Sequence, residues 1–251
     1  MIMKKINFKN PTLLFCLIAS FLTSSAQENI FKFTNTTKII TENIDNTKGI
    51  LLYKQILDKK IIENSNQFEL QLPLINEQFI PVSMKRFSVI NQSHNLIIET
   101  DNGQKIEEFI PNFVSYSIVY KDKPIGVFLV FDTAVILSYT YNNKQFEINK
   151  IDNEFILFDI NDCLINNTFS CAVEEKIERI NIEENYPESS FMTPKCLELA
   201  IEVDKYTRNT FSSNASTTNW AHAILAGVSQ VYASEVNLNI SIVTTIIWET
   251  T

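Results

Sequence analysis

The chain has 251 residues, 45% hydrophobic and 20% charged, which is enough apolar material for a sizeable core and too much for a disordered tail. With 21 Lys+Arg against 29 Asp+Glu the net charge is -8, so no cationic excess exists to neutralise phosphates, and nucleic acid is not an expected partner. Four Gly and seven Pro are too few for collagen-like, phosphate-cradling or propeller-type repeat designs.

Residues 1–26 read as a secretory signal peptide. Lys4, Lys5 and Lys9 precede the apolar run Leu13-Leu14-Phe15-Cys16-Leu17-Ile18-Ala19, and Ser24-Ser25-Ala26 supply a small-residue cleavage site. The run breaks at Ser20 and Thr23, short of the roughly 20 apolar residues of a spanning helix. The sequence therefore predicts a secreted or periplasmic product with no membrane segment after signal cleavage. Cys16 leaves with the signal. Cys163, Cys171 and Cys196 remain, and in an oxidising compartment a disulfide among them is expected, with one thiol left over.

Residues 27–172 are predicted to form a β-rich domain, either a sandwich or a strongly curved sheet. Short strand-like runs occur at Phe68–Leu72, Phe87–Ile90, Leu96–Glu99, Val114–Tyr120, Ile125–Phe131, Val135–Tyr141, Phe146–Ile151 and Phe155–Ile160. Turn signals separate them at Asp101-Asn102-Gly103, Asp122-Lys123-Pro124, Asn142-Asn143 and Asp152-Asn153. His94, within Asn91–Asn95, reads as a turn residue. Residues 173–194 are polar, charged and punctuated by Pro187 and Pro194, which fits an interdomain linker or a short solvated helix.

From residue 195 the pattern changes. Leu197–Val203 is a β-rich run, Ser212–Thr218 is dense in helix-capping residues, and apolar residues recur at helical spacing at Ala221, Ile224, Leu225, Val228, Val231, Tyr232 and Val236. Asn237 or Asn239 can close that helix, and Ile240–Trp248 is a second strand of mostly β-branched residues. Strand, helix and strand make a βαβ unit with parallel strands, so the fold class is α+β overall: an all-β domain followed by an incomplete α/β start over residues 195–251. A two-stranded parallel sheet is marginal in water. The expectation is that Ile240–Trp248 presents an unpaired edge and that residues 195–251 do not fold by themselves. His222 shares a helix face with the small and polar Ala226, Ser229 and Ala233, and it reads as a surface histidine.

Several stretches of this last part carry a family likeness. Lys195-Cys196-Leu197-Glu198-Leu199-Ala200-Ile201-Glu202-Val203-Asp204, Ile224 through Tyr232, Leu238-Asn239-Ile240-Ser241-Ile242 and Ile247-Trp248-Glu249-Thr250 follow one another as in the opening of a reprolysin-like zinc metallopeptidase domain, the adamalysin group of metzincins. The chain most resembles the secreted bacterial members. The resemblance implies an inhibitory propeptide in the place of the β-rich segment, zinc as the cofactor, and protein or peptide substrates. It also implies that Cys171 is a candidate zinc-masking thiolate and Glu198 a candidate calcium ligand. The family's His-Glu-x-x-His-x-x-Gly-x-x-His motif is absent: His94 precedes Asn95 and His222 precedes Ala223. No catalytic residue is therefore assigned, and the chain is expected to be part of a zinc metalloendopeptidase without activity as it stands. The alternative is a secreted β-sandwich binding or adhesion module, or a decayed, non-catalytic homologue of the peptidases.

Overall fold

The computed structural model describes residues 29–34, 47–151, 154–162 and 195–250. The expected signal peptide, the whole of the expected linker segment, Cys163 and Cys171 lie outside them. In chain order the strands are β1 (Phe31–Phe33), β2 (Thr47–Leu52), β3 (Gln67–Pro73), β4 (Phe79–Phe87), β5 (Ile90–Thr100), β6 (Gly103–Glu107), β7 (Phe113–Tyr120), β8 (Lys123–Phe131), β9 (Val135–Tyr141), β10 (Lys144–Ile151), β11 (Glu154–Asp159), β12 (Lys195–Val203) and β13 (Leu238–Trp248). The helices are α1 (Lys54–Glu63), α2 (Lys205–Asn209) and α3 (Asn214–Val236).

Nine of the strands form one antiparallel sheet in the order β1-β2-β11-β10-β9-β8-β7-β4-β3. It curls until its edge strands β1 and β3 come into contact, giving a nearly closed sheet. Of the two expected forms, the strongly curved sheet is the one adopted. Curling is driven by alternation: Phe68, Leu70 and Leu72 on β3, Ile80, Val82 and Met84 on β4, and Val135, Leu137 and Tyr139 on β9 all enter a single core. Across the near-closure Phe33 and Phe79 stack with ring centroids 5.2 Å apart. The β9–β10 hairpin turns on Asn142 and Asn143, both at positive φ, as their sequence indicated. Helix α1 was not foreseen; its Leu57 is fully buried in the barrel core.

One expected strand does not form as a unit. Phe87–Ile90 is not a strand: Phe87 ends β4, the chain bends at Ser88-Val89, and Ile90 begins β5. That bend takes the β5–β6 hairpin out of the barrel wall between β4 and β7, which are barrel neighbours. The hairpin instead joins the strands of the carboxy-terminal part in a second sheet of order β12-β13-β5-β6. Parallel pairing of β12 with β13 around α3 is the βαβ expected from sequence. The expected open edge of β13 does not exist, because β13 also pairs in parallel with β5 and is an interior strand. Sequence periodicity sees the strands one at a time and carries no signal for a parallel pairing between segments about 150 positions apart.

Strand β8 shows why the two parts fit. Phe128 and Val130 point into the barrel, while Val127 and Leu129 point outwards and pack against α3, so the run is buried on both faces. Just before it, Gly126 lies against β9 so closely that a Cβ would stand 2.1 Å from the Ser138 carbonyl oxygen and 2.6 Å from Tyr139 Cα. Both obstacles are backbone and cannot rotate away. Gly126→Ala is expected to destabilise the barrel by about 2–4 kcal/mol, read as a lowered urea midpoint at unchanged slope; a variant within 0.5 kcal/mol of the parent, on the scale of neutral surface changes, would contradict this packing.

Candidate functional site

Helix α3 is wedged between two β layers. Its N-cap is Ser213, whose side chain accepts from the Ser216 amide, and it ends at Asn237 in the left-handed region. One flank packs Ala221 against Leu96, Ile98, Val203 and Ile247 of the four-stranded sheet; the other packs Ala223 and Ala226 against Val127, Leu129 and Ile242. At these two flanks the helix approaches closely through alanines. The face expected to be the buried one is therefore turned round: Ile224 and Val231 are 47% and 51% exposed, whereas the small and polar row Thr218, His222, Ala226 and Ser229 is buried.

The exposed row of α3, with Trp220 and Ile224, forms one wall of an open groove of about 880 Å³, whose floor is β8, β9 and β10. Glu147 on that floor has its carboxyl pushed above the ordinary range by burial, partly opposed by hydrogen bonds from Asn149 and Ser138.

His222 is the principal correction. Rather than lying on the surface it is fully buried, and His94, expected in a turn, lies on β5 beside it. Along the seam β13 advances from Ile242 to Thr244 while β5 advances from Ile90 to Asn95, so Asn91–His94 form an irregularity in β5. Asn91 stabilises it by accepting from the Ser93 amide and donating to Ser241 Oγ across the seam, at 2.9 and 3.0 Å. The irregularity aims His94 under α3. Both rings meet the hydroxyl of Thr245 in β13: His94 Nε2 at 2.9 Å and His222 Nε2 at 2.8 Å. The imidazoles pack edge to face with centroids 5.0 Å apart, and Phe109 stacks edge-on against both, 5.9 Å from His94 and 5.1 Å from His222.

Proton placement follows from the partners. A hydroxyl has one hydrogen, so Thr245 donates to one ring and accepts from the other. His222 Nδ1 is buried without a partner among the described residues. A bare lone pair there costs less than a bare N–H, which assigns the His222 proton to Nε2. His222 then donates to Thr245 Oγ1, Thr245 donates to His94 Nε2, and His94 carries its proton on Nδ1. Burial, and then the neighbouring His94, hold the His222 pKa down to about 4; burial also lowers that of His94.

The remaining candidates are scattered. Glu198 is exposed on β12 opposite Ser241, and Cys196 is exposed on the same strand, unbridged among the described residues. No group of three or more His, Cys, Asp or Glu among the described residues is arranged to hold a metal. The two histidines meet on a hydroxyl with no third donor, so the described residues do not fit a catalytic zinc, and no step is derived through one. At the outer end of the βαβ unit Glu249 joins Arg208 at 3.4 Å and Asn214 at 3.1 Å, tying the carboxy-terminal end of β13 to the start of α3.

No protein-family model matches the chain, and no curated protein matches it. Among solved structures it is similar to the crystal structure of metalloproteinase-II from Bacteroides fragilis, at 12% identity with a TM-score of 0.35, over 77% of this chain and 57% of that one. The likeness thus spans little more than half of that protein's length.

Thr245→Val keeps the shape of the side chain and removes the shared hydroxyl, leaving two imidazole nitrogens unpaired. It is expected to cost about 1–3 kcal/mol in urea unfolding, whereas Thr245→Ser retains most of the parent stability. Equal stability of Thr245→Val and the parent would show that the hydroxyl does not hold the rings.

Proposed function

We propose that the chain belongs to an exported, zinc-dependent metalloendopeptidase made as a latent precursor, the β-rich part serving as propeptide and residues 195–251 beginning the catalytic domain. Two things support this: the ordered family-like stretches between Lys195 and Thr250, and the place of β13 between β12 and β5. The second carries the proposal. A nascent βαβ unit has one helix and two parallel strands, too little to persist in water, and the barrel supplies what is missing: strand β5 at the edge and the outer face of β8 over the helix. A folding-assistant propeptide has to provide such a template.

Zinc, its ligands and the general base would come from sequence outside these 251 residues, and the substrates would be proteins or peptides. Cys171 as a masking thiolate and Glu198 as a calcium ligand remain part of the proposal. So does cleavage between Val173 and Pro194, where Lys176 and Arg179 offer trypsin-type sites.

The encoding DNA read beyond Thr251 is expected to contain His-Glu-x-x-His, in frame or after a frameshift. The product that includes it should be inert towards casein until trypsin cuts between Val173 and Pro194, and chelator-sensitive thereafter. Residues 27–251 by themselves should leave casein intact. The proposal fails if no such motif follows, or if the longer product is equally active before and after cleavage.

A further inference from the structure

We propose that His94, Thr245 and His222 form a proton-sensitive latch that holds the β5–β6 hairpin of the barrel to β13 and α3, so that acidification opens this seam while the barrel stays folded. The latch is a property of this chain's own two sheets and goes beyond the peptidase proposal, on which it does not depend.

Its position is the first ground. The three side chains come from three elements on both sides of the β5–β13 pairing, and the rings are joined through one hydroxyl. Around this node Leu96 and Ile98 of β5 meet Ile247 of β13 and Ala221 of α3, and the Asn91–Ser241 hydrogen bond further along the seam joins two groups that do not titrate. Its chemistry is the second ground. The neutral chain of donors from His222 through Thr245 to His94 uses every Nε2, but a proton added to His222 goes to Nδ1, which has no partner. A proton added to His94 instead makes its Nε2 a donor, and the Thr245 hydrogen then loses its acceptor. With both rings charged, two cations face each other at a centroid separation of 5.0 Å.

Among the described residues, nothing packed against the rings offsets such a charge. Phe109 follows β6, Thr245 is neutral, α3 presents alanines beside His222, and the one ionisable group that acts on His222 is His94 itself. Both rings have lowered proton affinity when the seam is closed. A histidine depressed in the closed state contributes its stability in full above the ordinary value of 6.5 and loses it as pH falls towards the depressed value. For His222, falling to about 4, this shifts the closed-to-open equilibrium roughly 30-fold between pH 7.5 and 5. The barrel side of α3 rests on Val127, Leu129 and Ala226, which do not titrate.

Hydrogen–deuterium exchange on the intact chain, corrected for intrinsic rates, tests the latch. From pH 7.5 to 5 the protection of residues 95–99 and 244–248 should fall about 30-fold or more, while that of β8 and β9 holds. The His222→Asn variant should flatten that drop and His94→Asn should reduce it. Should they fail to fold, NMR of the parent decides: the two ring resonances must titrate over the window in which seam protection is lost. Unchanged seam protection down to pH 4.5, loss of seam and barrel at a single pH, or a drop of the same size in both variants overturns the proposal.

Discussion

Parallel pairing of β13 with β5 is the constraint on which the rest of the molecule depends. A parallel sheet needs cover on both faces and more than two strands, because its connections carry the covering helix and two strands are marginal in water. β12 and α3 provide half of this. The other half comes from a hairpin that leaves the barrel wall between two neighbouring strands, and from the outer surface of that same barrel. Ile242 and Ile247, both fully buried, mark the two contacts: Ile242 belongs to the cluster shared with the barrel, Ile247 to the one shared with the hairpin. Full burial of a side chain of that size is worth about 1.5–3 kcal/mol, which is large against the marginal stability of an isolated βαβ unit.

The same constraint explains the composition of α3. A helix covering one sheet can present leucines and isoleucines, but one lying between a sheet and a barrel has no room for them. Ala221, Ala223 and Ala226 occupy the crowded flanks, while the larger Ile224 and Val231 face outwards.

How much of this was legible in the sequence depended on the range of the interactions involved. Local features were: most strands between Phe68 and Ile160 through their short apolar runs, though not β4 or β6, the hairpin at Asn142-Asn143 through its turn chemistry, and the ends of α3 through its capping residues and Asn237. The hairpin that bridges the two parts was not legible, since nothing in Ile90–Thr100 states that its partner lies beyond residue 237. The histidine node was missed for the same reason. In sequence each histidine has only its own neighbours as context, the asparagine-rich turn chemistry of Asn91–Asn95 for His94 and the small residues around it on the helix for His222. Both local readings were fair descriptions of real features, the irregularity in β5 and the small face of α3. Only the tertiary fold shows that these features point at each other.

Insertion of the β5–β6 hairpin between neighbouring barrel strands also fixes a sequence of events during synthesis. Every barrel strand lies between Phe31 and Asp159, so the barrel has all its parts before any of the βαβ unit leaves the ribosome. Through that interval β5 waits with one edge unpaired, and it gains its second neighbour only when Trp248 has been made. Chain direction thus places the template ahead of the part it receives. The longest wait, and the greatest exposure to mispairing with another copy, falls on one short hairpin whose tip is the Asp101-Asn102-Gly103 turn.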